Sequence, residues 1–439
     1  MASLLIKGGR VLSPADALDG DFDILVEDSG VREIAPSLAL PADEVFDARG
    51  QTIAPGFIDL HVHLREPGGE ASETLATGLA AAVAGGFTAV CPMPNTRPVN
   101  DRADSTRALI ERAAALGLAR VFPIAAVSMG SEGQSLTDFR ELVEAGAVAF
   151  SDDGRPVKTA GLMRRALEEA RTLGVPIIDH CEDASLSGHG AINEGAVAAR
   201  LGVRGIPASS EDVCVARDLV LAESTGARLH VAHLSTRLSL EMVLAAKGRG
   251  LRVTCEVTPH HAILTDEAVA EYGTNAKMNP PLRSARDVEA LVAGLADGTV
   301  DALATDHAPH ASELKQKPLA EAPFGVIGLE TALGLALTHL VHTGRLSLAQ
   351  LVALMSRNPA GLLDPSGQRG LGRLRIGGVA DLTVFDPNPE WTYRAAEGRS
   401  KSRNSPFDGW KLKGAVTATI VSGKIVYRRS GSAGVSPAR

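Results

Sequence analysis

Apolar, β-branched runs recur through the middle of the chain, at 57–62, 87–91, 121–127, 147–150, 176–180, 229–233, 253–257 and 302–305. They read as buried strands. Between most of them lie Ala-, Leu-, Glu- and Arg-rich stretches of helical period, at 74–84, 105–115, 161–172, 238–246 and 285–296. Eight buried strands alternating with helices predict an α/β fold of the (β/α)8 TIM-like barrel type. A doubly wound sheet is the competing arrangement, but no Gly-rich phosphate loop follows the first strand.

The two ends have a different texture. Short β-like segments at 3–7, 22–27 and 31–34 are punctuated by Gly8-Gly9 and Ser29-Gly30, and similar segments return at 380–385, 415–421 and 424–428. The last two meet at Ser422-Gly423, a hairpin signal. This predicts one small β domain built from both chain termini, 1–54 and 366–429, around a barrel at 55–365. The stretch 430–439 is rich in Gly, Ser, Ala and Pro without period and reads as a disordered tail.

Composition narrows the function. The 439 residues are 45% hydrophobic, enough for a large core, and carry a net charge of −8 with 3% aromatics. Negative charge repels phosphate backbones, and few rings leave little to stack on bases, so no nucleic-acid partner is expected. No apolar stretch reaches the length of a membrane span. The opening Met1-Ala2-Ser3-Leu4-Leu5-Ile6-Lys7 places only three apolar residues before a lysine, which does not make a signal-peptide core. The four cysteines, Cys91, Cys181, Cys214 and Cys255, show no C-x-x-C spacing. They read as buried free thiols in a reducing cytoplasm.

The chemistry lies where the strands end. In a barrel, the C-terminal ends of the strands carry the active site. The first run ends Asp59-Leu60-His61-Val62-His63-Leu64-Arg65, and the period of two puts His61 and His63 on one side, where two imidazoles can chelate one ion. Alone, H-x-H is a common accident. The later runs end in Asp152-Asp153, His180-Cys181-Glu182, His233 and Asp306-His307. Five strands ending in His or Asp in register point to a metal. His230 lies three positions before His233, faces the other way, and reads as buried against a helix. His189, His339 and His342 lie off the strand ends, and His260 and His261 read as supporting or structural groups.

These motifs resemble the amidohydrolase superfamily and, within it, the dihydroorotases of the larger bacterial type. Asp59-Leu60-His61-Val62-His63-Leu64-Arg65-Glu66-Pro67 matches that family's signature. So do Pro92-Met93-Pro94-Asn95-Thr96 and Ala304-Thr305-Asp306-His307-Ala308-Pro309-His310, with Lys315 at the expected offset. The resemblance implies that His61 and His63 bind a first Zn2+ with Asp306 close by. It implies that His180 and His233 bind a second and that Asp153 bridges the two if both are present. Hydantoinases use a carboxylated lysine on the fourth strand, but here that strand ends Asp152-Asp153, and Lys158 comes too late. Choosing Asp153 over Asp152 rests on the resemblance.

The implied reaction is the reversible cyclisation of N-carbamoyl-L-aspartate to L-dihydroorotate in pyrimidine biosynthesis, with Asp306 as the catalytic base. The substrate is an anion. Arg65 shares the side of His63, and its planar fork suits a carboxylate. Asn95 and His310 resemble the family's other carboxylate contacts, while Asn279 and the backbone of Phe324 and Gly325 resemble ring contacts. The stretch 308–325, with Lys315, Lys317 and three prolines, is expected to form a mobile lid. The competing readings are a related cyclic amidohydrolase (allantoinase or dihydropyrimidinase) and an inactive scaffold for aspartate carbamoyltransferase. An active chain can also assemble with that enzyme, and a homo-oligomer is expected.

Overall fold

The apolar runs pair with one another in parallel. The computed structural model describes residues 3–430. The barrel strands are β1 (Phe57–Val62), β2 (Phe87–Pro92), β3 (Arg120–Val121, resumed at Ile124–Ala125), β4 (Ala149–Phe150), β5 (Ile177–Asp179), β6 (Leu229–Val231), β7 (Val253–Val257) and β8 (Ala302–Leu303). Unbroken pairing runs from β1 to the first half of β3, and from its second half to β8. The run expected at 121–127 is split because Pro123 has no N–H to give a ladder. Phe122 N–H still reaches the Val90 carbonyl at 3.0 Å, and Val148 N–H the Pro123 carbonyl at 3.0 Å, so the wall continues across the break.

The cylinder closes between β8 and β1. Val62 and His307 form a parallel bridge, and His63 N–H donates to the His307 carbonyl at 2.8 Å. Asp59, 0% exposed on β1, accepts from Thr305 N–H at 3.0 Å, Thr305 Oγ1 at 2.6 Å and His61 N–H at 3.2 Å. One side chain thus ties the end of β8 to β1, next to the first histidine pair. Around the strands lie the expected helices, among them Leu75–Ala84, Ala103–Leu116, Ala160–Leu173, Arg237–Gly248 and Ala285–Asp297. Thr74, Thr159 and Thr236 cap three of them, each accepting from a backbone N–H one turn on.

Both chain ends enter one eight-stranded sheet. Its order runs Lys424–Arg428, Lys411–Val421, Leu382–Thr392, Thr52–Pro55, Ser3–Ser13, Leu18–Glu27, Gly30–Ala35, with Glu44–Asp47 beside Ser3–Ser13. The two four-residue strands escape sequence reading because they are too short to show alternation. Yet Thr52–Pro55 joins the halves, parallel to Ser3–Ser13 and antiparallel to Leu382–Thr392. Of the tail expected to be disordered, 431–439 lie outside the described residues. No helix among the described residues is long and apolar enough to cross a membrane.

Sheet and barrel meet at Thr383. Its hydroxyl donates to the Gly86 carbonyl at 2.6 Å and accepts from Phe57 N–H at 3.1 Å. Gly86 has φ +88°, and a Cβ there would stand 2.6 Å from Thr383 Cγ2, so the contact needs glycine. Thr383→Val keeps the side chain's shape but strands a buried donor and a buried acceptor. It is expected to cost about 1–3 kcal/mol, read as a lowered urea midpoint with an unchanged slope.

Candidate metal centre

Strand alternation turns His61 and His63 to the same side, with ring centroids 5.3 Å apart. The chain then brings four more side chains to them from the ends of β4, β5, β6 and β8. Asp153 Oδ1 stands 3.3 Å from His61 Nε2, 3.6 Å from His180 Nδ1 and 3.5 Å from His233 Nε2. Its other oxygen is 3.6 Å from His63 Nε2. Asp306 Oδ1 is 3.0 Å from His63 Nε2 and 3.7 Å from His61 Nε2. All six residues are 5% exposed or less. The structure also separates the two aspartates that sequence alone left equivalent. Asp152 turns away to accept from Ser128 N–H at 3.1 Å and from the Ser128 hydroxyl.

This donor set fits a metal. His61 Nε2 and Asp153 Oδ1 are buried and have no hydrogen-bond partner. Such atoms are costly unless something else satisfies them. Two ligands of one tetrahedral zinc, each about 2.0–2.2 Å from it, stand about 3.3–3.6 Å apart, close to the spacings here. Burial works against protonating His61 and His180, but Asp153 outweighs it, raising His61 well above its ordinary value and His180 to about 10. Burial likewise opposes charge on Asp153 and Asp306, and the imidazoles outweigh it and hold both carboxyls well below their usual range. A place that draws protons this strongly draws a metal cation for the same reason.

Residues 50–239 match the Dihydro-orotase-like family, and residues 244–427 the Amidohydrolase family. A dihydroorotase of Geobacter sp. (strain M21) is 52% identical over 97% of this chain and 99% of its own length. The chain belongs to the dihydroorotase family. A dihydroorotase of Solibacter usitatus is 50% identical over 98% of this chain and 99% of its own length. Among solved structures, the L-hydantoinase (dihydropyrimidinase) from Arthrobacter aurescens superimposes with a TM-score of 0.88 at 28% identity, covering 98% of this chain and 96% of that one. Dihydroorotase and hydantoinase thus share one barrel-and-sheet architecture, and the difference between them must be sought in side chains.

In this dihydroorotase-family chain, three of the four imidazoles are oriented through their second nitrogen. His63 Nδ1 is 3.0 Å from Asn95 Oδ1, and the Asn95 amide is 3.3 Å from Asp153 Oδ2. His180 Nε2 is 3.0 Å from Glu182 Oε2, which also accepts from Asn279 at 2.7 Å. His61 Nδ1 is 3.0 Å from Glu256 Oε1. Such contacts fix which nitrogen faces the ion. Sequence reading missed Glu256. Its signal was there, the one carboxylate inside the buried strand β7. His230 is buried as expected and lies outside the cluster, but its partners are on β7 and not on a helix. They are Thr254 Oγ1 at 2.8 Å and Glu256 Oε2 at 3.1 Å.

Arg65 and His310 lie together beside Asp306. Arg65 Nε donates to the Pro309 carbonyl at 3.1 Å, and its Nη2 is 3.5 Å from His310 Nε2. Burial and the Arg65 charge push His310 down to about 3, so it is neutral, and it donates from Nε2 to the Phe324 carbonyl at 2.6 Å. Gly325 uses its N–H on the Lys277 carbonyl at 2.9 Å and its carbonyl on Lys315 Nζ at 2.9 Å. The stretch expected to be a mobile lid is strapped down by two lysines. Lys315 Nζ also bonds the Pro323 carbonyl at 3.0 Å, and Lys277 Nζ bonds those of Leu319 and Ala322 at 2.7 Å each. His261 is a structural group, bonded to Thr258 Oγ1 at 2.8 Å and the Pro280 carbonyl at 2.9 Å. Arg65, His233 and Asp306 all have positive φ, of 61°, 28° and 46°. Strain of this kind, about 1–3 kcal/mol each, persists only where the surroundings over-determine it.

Glu256→Ala removes the anchor of His61 without touching a donor of the cluster. It is expected to weaken metal binding about 10–100-fold, measured by competition with a chelating dye. Unchanged affinity would show that Glu256 serves folding alone.

Proposed function

We propose that the chain is a zinc-dependent dihydroorotase that interconverts N-carbamoyl-L-aspartate and L-dihydroorotate in pyrimidine biosynthesis. Identity of 52% to a named dihydroorotase over nearly the whole chain carries this reading. It is supported by the convergence of His61, His63, Asp153, His180, His233 and Asp306. These six residues would hold one or two zinc ions. Zinc held there would lower the pKa of a bound water toward about 7 and polarise the amide carbonyl.

The chain's own groups do the rest. Asp306, held as the anion, accepts the proton of the attacking water and passes it to the departing ring nitrogen. Ring closure runs the same transfers backwards. Proton transfer of this kind contributes about 10²–10⁴-fold. Arg65 is pushed down to about 10 by burial, so it is still a cation at neutral pH and offers two parallel bonds to the exocyclic carboxylate. Asn95 and neutral His310 flank that carboxylate, and Asn279 with the Phe324 and Gly325 backbone faces the ring. For Gly325 this requires exchanging its present N–H partner on substrate binding. Residues 308–325 then act as a cap whose two lysine straps must loosen to admit substrate. The enzyme is assigned to the cytoplasm as a homo-oligomer, with aspartate carbamoyltransferase as the partner to test by co-purification.

The hydantoinase reading is favoured by the architecture alone. It lacks its fourth-strand lysine here, and its substrates have no carboxylate for Arg65 to hold. Zinc-loaded protein should close N-carbamoyl-L-aspartate and open dihydroorotate faster than hydantoin or allantoin, and the reverse ranking would overturn the assignment. Arg65→Met should lower kcat/KM for dihydroorotate about 10–100-fold, the loss of a charge-assisted pair, while leaving any residual hydantoin turnover nearly unchanged. Asp306→Asn should cut kcat by about 10²–10⁴-fold in both directions.

A further inference from the structure

Strand alternation that sends His180 toward the metal centre sends Asp179 and Cys181 the other way, against the helix Ser209–Thr225. That helix presents Cys214 and Asp218, spaced i and i+4 and so on one face. The four side chains meet. Cys181 Sγ is 3.6 Å from Asp179 Oδ2 and 3.6 Å from Asp218 Oδ2. Cys214 Sγ is 3.8 Å from the first oxygen and 3.9 Å from the second. Exposure is 1% for Asp179, 7% for Cys181, 2% for Cys214 and 0% for Asp218.

Two features set this cluster apart from ordinary packing. Asp179 lies against the two thiols and the Asp218 carboxyl, with Arg217 Nη2 at 3.6 Å as its ion-pair partner. Arg217 is spent mainly on Asp218, through Nε at 2.7 Å, and its Nη2 is itself without a hydrogen-bond partner. One guanidinium therefore faces two buried carboxyls that lie against each other, and a further cation between them would replace that contact with a favourable one. The sulfur–oxygen spacings, 3.6 to 3.9 Å, also lie close to those of a metal site. A tetrahedral zinc with sulfur at about 2.3 Å and oxygen at about 2.0–2.2 Å sets sulfur–oxygen edges of about 3.5–3.7 Å.

We propose that Asp179, Cys181, Cys214 and Asp218 form a second, structural metal site for a thiophilic divalent cation, zinc by ligand type. It is separate from the ring-closing centre. Four protein donors leave no open position, the mark of a structural site. It clamps the end of β5 to the helix Ser209–Thr225 and so braces the backbone that carries His180. The sequence hides it because its cysteines are paired through strand and helix periods and not through a C-x-x-C loop. A cavity of about 910 Å³ lined by Cys214, Arg217, Glu182 and Asp183 gives an ion a route in.

The test is cobalt substitution of the purified full chain. The ring-closing cluster offers only nitrogen and oxygen, so a thiolate-to-cobalt charge-transfer band reports the second site alone. The wild type should show the band, and Cys214→Ala should lose it together with one metal ion per chain by elemental analysis, while retaining the metal at the imidazole cluster. A wild type without the band, or a Cys214→Ala protein that keeps it, overturns the proposal. If Cys214→Ala does not fold, thiol counting on the wild type decides. Chelator treatment should make two further cysteines reactive in the native protein, and an unchanged count overturns the proposal. Either failure leaves the ring-closing assignment untouched.

Discussion

A carboxylate with four imidazole nitrogens within 3.6 Å, all shut away from water, is the constraint on which the rest of this structure depends. Burying such groups costs several kcal/mol per ion unless opposite charge and hydrogen bonds compensate. Asp153 alone does not balance the ring of donors. The geometry becomes favourable when cationic charge sits between the imidazoles and the two carboxylates. Much of the surrounding architecture keeps that arrangement from relaxing. Asp59 closes the barrel beside His61, Glu256 and Glu182 hold imidazoles from behind, and Asn95 spans His63 and Asp153. Arg65, His233 and Asp306 hold left-handed backbone that free peptide would abandon.

The same constraint explains why so much of the centre was legible in the chain. Barrel strands are buried on both faces and read as unbroken apolar runs, so a His or Asp at their ends stands out. The eight runs, most helix bounds and the six cluster residues were readable on that ground, helped by the family resemblance. What escaped needed the third dimension. Glu256 looks like a flaw in an apolar strand until His61 and His230 are seen on either side of it. Thr52–Pro55 is too short to show a period, yet it unites the two chain ends. Asp152 and Asp153 differ only in which way the chain turns after β4. The four-residue cluster behind β5 combines a strand period with a helix period, and neither alone signals it.

Fold and function separate cleanly in this family. The hydantoinase architecture superimposes over nearly the whole chain at 28% identity. What would redirect the chemistry is local. At the end of the fourth strand this chain has Asp152-Asp153 and no lysine, and a buried guanidinium, Arg65, lies beside Asp306. The capping stretch carries a similar lesson. Its length suggested freedom, while two buried lysines, Lys315 within it and Lys277 outside it, each bonded to several carbonyls, hold it in place.

The central claim is that distant side chains share a cation at the barrel mouth. Crystals of zinc-replete protein, measured on either side of the zinc absorption edge, test it most directly. The account predicts anomalous density between His61, His63, Asp153 and Asp306, and a second peak toward His180 and His233 if two ions bind. A barrel mouth without anomalous density in zinc-replete crystals would contradict it.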